Sequence, residues 1–157
     1  MKYFVLLAFI ALLNSERVKT NLTGEWHYKY SLADDEILDL PDDDFILGYK
    51  LLFEKCNDRE DLKGMPPLVV EMRKNDTLFS NVSIKAFSKD GKIIDTFFPV
   101  AYRVQEKDIR FTAYGTRLKD DYSLNCSKKD TIAIGDNKVY LLNNRKYYQV
   151  KHIYVKQ

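Results

Sequence analysis

Residues 78–104 decide how this chain folds: Leu78-Phe79-Ser80-Asn81-Val82-Ser83-Ile84-Lys85-Ala86-Phe87, then Ser88-Lys89-Asp90-Gly91, then Lys92-Ile93-Ile94-Asp95-Thr96-Phe97-Phe98-Pro99-Val100-Ala101-Tyr102-Arg103-Val104. The period is two. Val82, Ile84 and Ala86 fall on one face, and Asn81, Ser83 and Lys85 on the other, which is the alternation of a half-buried strand. Asp90-Gly91 predicts a type I′ hairpin turn, whose two central residues need positive φ. The second strand places Ile94, Phe98, Val100, Tyr102 and Val104 together. Pro99 has no amide hydrogen for a ladder, so a bulge or bend is expected there.

Working outward, the same period recurs. Gly24–Ser31 alternates Trp26, Tyr28 and Tyr30 against Glu25, His27 and Lys29. Leu68–Arg73 reads as a further strand. Ile109, Phe111 and Ala113 form one inner face, and Tyr122, Leu124 and Cys126 another. Ile132 and Ile134, then Val139 and Leu141, flank an expected turn at Gly135-Asp136-Asn137. Asn143-Asn144-Arg145 is the last turn, and Tyr147–Val155 the last strand. Two stretches interrupt the pattern. Seven acids crowd into residues 34–44 and read as a solvated loop, since no Gly lies among them to turn a calcium loop. Residues 45–56 fit both a strand and a helical face; the acids before them, which would charge a helix start, tilt the reading to a short helix.

About nine strands with short connections and no strand–helix alternation exclude a parallel sheet. They predict an all-β, antiparallel up-and-down meander of 8–10 strands, closed as a barrel by pairing its first and last strands or stacked as a sandwich; closure is favoured because it removes exposed edges.

The chain has 157 residues, is 45% hydrophobic and 13% aromatic, and carries a formal charge of +2. That content excludes a disordered chain, and the near-neutral balance gives no footprint for nucleic acid. Residues 1–15 read as a secretory signal peptide, Met1-Lys2 preceding the apolar run Tyr3–Leu13; the run is too short for a membrane span. Residues 16–157 are then one secreted, extracellular domain. Asn21, Asn75, Asn81 and Asn125 each begin an N-x-[ST] sequon, so a glycoprotein is expected. In that compartment Cys56 and Cys126 read as one disulfide closing a loop of about 70 residues.

Leu22-Thr23-Gly24-Glu25-Trp26 resembles the G-x-W opening of the calycins, the lipocalins and fatty-acid-binding proteins. Gly admits the chain closely at the barrel floor, and Trp plugs that end. The resemblance implies a closed barrel holding a small hydrophobic, lipid-like molecule, with Gly24, Trp26 and a basic residue stacked on the Trp, here Arg145, as structural residues. Asp120-Asp121-Tyr122 only loosely echoes the T-D-Y-like turn of lipocalins. The end of the chain, His152-Ile153-Tyr154-Val155-Lys156, resembles that of fatty-acid-binding proteins, with His152 where they place an Arg. A protonated His would still pair with a carboxylate.

The lining expected for such a pocket is Tyr28, Tyr30, Phe98, Tyr102, Phe111, Tyr122, Tyr148, His152 and Tyr154. The same aromatic faces also suit a solid packed core. Nucleophile elbows, phosphate loops, zinc-protease helices and paired-cysteine motifs are absent from the sequence. The expectation is therefore a non-enzymatic carrier without cofactor or metal. The alternative is a secreted domain acting on a protein partner through its outer surface.

Overall fold

A computed structural model of the chain describes residues 22–38, 47–116, 119–141 and 147–157, with the side chains of 137–141 and 147 left out. The signal segment, Asn21, residues 39–46 and Arg145 therefore lie outside the described residues.

The fold is all-β. Its strands are β1 (Gly24–Ala33), β2 (Glu36–Leu38), β3 (Lys50–Lys55), β4 (Val82–Phe87), β5 (Ile93–Gln105), β6 (Asp108–Tyr114), β7 (Lys119–Lys128), β8 (Thr131–Leu141) and β9 (Tyr147–Lys156). All pairings are antiparallel. Eight strands close a barrel in the order β1-β3-β4-β5-β6-β7-β8-β9, sealed by β1 against β9, while β2 pairs with β1 from outside. Two helices, α1 (Asp58–Asp61) and α2 (Pro67–Asn75), fill the connection from β3 to β4.

Val82, Ile84 and Ala86 point into the core as the alternation requires, joined by Trp26, Leu51, Phe53, Phe79, Ile109, Phe111, Leu124, Ile134 and Tyr154. These side chains form one continuous core inside the barrel. Trp26 is 1% exposed, and its indole nitrogen donates to the Leu22 carbonyl at 2.7 Å.

Several expectations are corrected. Residues 50–55 form strand β3, because they pair with both β1 and β4; the acidic start cannot outweigh two ladders. Residues 67–75 form helix α2. Pro67 sits in its first turn, where a missing amide costs nothing, and Val69 and Arg73, four apart, bury one face on the barrel wall.

The turns also exchange roles. The type I′ conformation belongs to Asp34 (φ 49°) and Asp35 (φ 65°), which join β1 to β2. At the expected site only Gly91 is left-handed, with φ 80°. There the Gly91 amide donates to the Ser88 carbonyl and the Ser88 amide to the Lys92 carbonyl, making a three-residue loop. Gly135-Asp136-Asn137 is no turn: β8 runs through it, with extra residues between Gly135 and Val139 opposite β9.

Strand β5 takes the opposite face from the expected one. Phe97 faces the core and Asp95 pairs with inward Ala86. Ile94 and Tyr102 are exposed. Phe98 and Val100 point outward yet remain buried, with the Arg73 guanidinium of α2 5.6 Å from the Phe98 ring centre. Both faces of β5 are covered, so its apolar residues do not mark the interior. The irregularity falls between Ala101 and Arg103; at Pro99 the strand has already left β4, whose last described pair is Ile84 with Phe97.

The expected disulfide is not formed. Cys56 lies beyond β3, its thiol donating to Asp58 at 3.1 Å, whereas Cys126 lies on β7, its thiol directed to the Lys107 carbonyl at 3.5 Å. Each sulfur is committed to its own neighbours.

Candidate functional site

The barrel interior has two unlike halves. The end at Trp26 is packed with apolar side chains. Phe111 lies between Phe79, with ring centres 5.4 Å apart, and Tyr122, at 5.7 Å. Towards the other end the lining becomes polar. Tyr28 and Ser31 share a hydrogen bond of 2.8 Å, and Ser31 shares another of 2.8 Å with His152 Nδ1. Ser31 and His152 are fully buried, and Tyr28 is half-buried.

A bulge creates this chain of polar groups. β1 pairs Tyr28 with Tyr154 but Tyr30 with Ile153, so Lys29 is an extra residue. The register slips by one and reverses the faces beyond it. Tyr30, expected inside, turns away with Ile153, and Ser31 takes its place opposite His152.

Tyr28 is the hub. Its ring meets Tyr49 edge-on at 5.6 Å and Tyr154 at 5.8 Å. The Tyr154 hydroxyl donates to the Gly48 carbonyl at 2.8 Å, and burial pushes its pKa up, keeping it a donor. Two carboxylates share the inner face near this end. Asp95 accepts from the Thr116 amide at 3.1 Å and its hydroxyl at 2.7 Å. Asp136 pairs across the sheet with Tyr122 and is buried.

Of the nine expected lining residues, the interior brings together Tyr28, His152, Tyr154, Phe111 and Tyr122. Tyr148 is half-buried on β9, two positions before Val150. Phe98, Tyr30 and Tyr102 face elsewhere. Ser31, Tyr49, Asp95 and Asp136 were not anticipated. Asp95 carried a readable signal, as a lone acid within an apolar strand.

Gly24 opens β1, and Trp26 is buried in the core. Gly24 has φ 123°, and a Cβ there would lie 3.3 Å from the Lys156 side chain. Among the described residues, Lys156 stands over the Trp26 ring, its Nζ 5.2 Å from the ring centre; Arg145, expected there, lies outside them. Asn75, Asn81 and Asn125 are exposed. Among the described residues, no group of three or more His, Cys, Asp or Glu is placed to hold a metal, and no helix is long and apolar enough to cross a membrane.

The closed antiparallel barrel is compatible with a calycin-like fold. No family model, no curated protein and no solved structure matches the chain.

Proposed function

We propose that this is a secreted barrel that binds a small, largely hydrophobic molecule in its interior. One observation carries the reading: the interior is apolar and plugged at one end, but presents the Tyr28–Ser31–His152 hydrogen-bonded chain toward the other. A ligand would lay its apolar body against the aromatic rings and turn a polar group to these three side chains, the usual division of labour in a small-molecule pocket. Residues 1–15 would direct export, and exposed Asn75, Asn81 and Asn125 would carry glycans.

The test is native mass spectrometry of protein secreted from eukaryotic cells, before and after treatment with peptide N-glycosidase. The expected result is a mature chain lacking about fifteen residues, glycan masses that the enzyme removes, and a bound small molecule. Ser31→Leu, which fills the polar end, should release that molecule. Retention by Ser31→Leu, or no bound mass together with no uptake of a fluorescent apolar probe, would refute interior binding.

The second reading, an outer surface that engages a protein, draws on exposed Ile93 (58%), Ile94 (49%) and Tyr102 (54%) along β5. Charged substitutions at Ile93 and Ile94 would abolish such binding and leave the interior ligand in place.

A further inference from the structure

Outside the barrel, α1 and α2 enclose a cleft of about 490 Å³ that the interior reading does not use. One wall comes from α1 and the turn after it, with Arg59, Leu62 and Lys63; the other is the Val70–Lys74 face of α2. On α2, Val69 and Arg73 are buried, while Val70 and Lys74, each one position on and also four apart, line the cleft. Leu62 is 3% exposed and supplies an apolar floor.

Arg59, Lys63 and Lys74 all line the cleft. The one carboxylate in its lining, Asp58, is taken by Arg73, which donates from Nη2 to Oδ1 at 2.6 Å and from Nε to Oδ2 at 3.0 Å. That ion pair fixes the base and removes its negative charge from the field of the cleft. Lys63 and Lys74 also meet Glu60 and Glu71, but as exposed pairs three residues apart. Such pairs are weak and leave the ammonium groups available.

We propose that this cleft is a second binding site, for an amphipathic monoanion whose apolar tail lies on Leu62 and Val70 and whose head meets Arg59, Lys63 and Lys74. A small molecule suits the volume, which lies in the range of ligand pockets of roughly 300–1,000 Å³. A stable protein partner would need about 800 Å² of surface on this side, more than these six residues offer.

The experiment is calorimetric titration of the full chain with dodecanoate, in parallel with flotation on phosphatidylglycerol vesicles. Dodecanoate is expected to bind at the cleft, about ten-fold more weakly in the Lys63→Glu/Lys74→Glu variant and in high salt, and Val70→Trp, which fills the cleft, should abolish this outer binding. Ser31→Leu, inside the barrel, should leave this binding unchanged, so interior and outer sites fail separately. Affinity unaltered by both cleft variants, or lost only in Ser31→Leu, would overturn the proposal. So would flotation on vesicles without binding of free dodecanoate, because the ligand would then be a lipid surface. The double variant changes only exposed side chains, so it remains folded and interpretable if Val70→Trp does not.

Discussion

Arg73 ties together three parts of the molecule. Besides its two contacts to Asp58, it donates to the Pro99 carbonyl at 2.7 Å and to the Val82 carbonyl at 2.9 Å, and it is fully buried. Arg73→Met should cost about 3–5 kcal/mol, because it strands a carboxylate and two carbonyls; urea unfolding checks this. Asp58 titrates under two opposed influences. Burial raises its pKa, but hydrogen bonds from Arg73 and Cys56, with the guanidinium charge, leave it below its ordinary 3.8. A carboxyl lowered on folding stabilises fully above its unfolded pKa and loses that contribution as pH falls through the folded one. Stability should therefore drop on acidification below about pH 4, and this acid slope should be shallower in Asp58→Asn.

Cys56 titrates in the opposite direction. Burial, followed by its hydrogen bond to Asp58, pushes the thiol up from 9.0 to about 12. The unfolded thiol ionises first, so stability is complete below pH 9 and declines as pH climbs from 9 toward 12. Cys56→Ser should flatten that alkaline decline in the same unfolding assay. At this scale the sequence was informative where a residue sits in an unbroken register, as with Trp26 and Tyr154. It misled where a single inserted residue reversed the register, as Lys29 does for Tyr30 and Ser31.

At the scale of elements, the meander was legible and its connections were not. Alternation identified β4, β6 and β7, whose outer faces are polar enough to keep the pattern clean. It failed on β5 because α2 covers its outer wall, making Phe98 and Val100 as buried as the core. It failed on α2 itself, where the β-branched pair Val69-Val70 mimics a strand. The three-residue turn between β4 and β5 yields a sharp prediction. Gly91 is left-handed, and nothing lies within 4 Å of a Cβ built there, so Gly91→Ala should cost about 1–2 kcal/mol from backbone strain alone. A lowered melting temperature with unchanged far-ultraviolet circular dichroism would report it.

For the molecule as a whole, barrel closure was readable because a long meander with matched first and last strands has few other ways to hide its edges. The pairing of the two cysteines was not, because sequence supplies their number and not their neighbours. Burial raises both thiol pKa values, so both should react slowly with a disulfide reagent in the native state. On unfolding in urea without reductant, two thiols per chain should titrate rapidly; none would mean a bridge. The polar half of the interior was visible only in part, since Tyr28 and His152 lie 124 positions apart in sequence and meet through Ser31, which a bulge alone turns inward.

The seam between β1 and β9 also governs when the molecule can fold. The Ser31–His152 contact spans 121 residues, and the whole β1–β9 ladder joins segments comparably distant. Most other pairings are between neighbours in sequence and can form early as hairpins. The seam must wait for β9 to leave the ribosome, and it carries the full entropy of closing a chain-length loop. Folding should accordingly be slow, in the millisecond-to-second range of domains dominated by non-local pairing. Until then β1 presents an open edge, so the nascent barrel is most exposed to aggregation in the interval before its last strand docks.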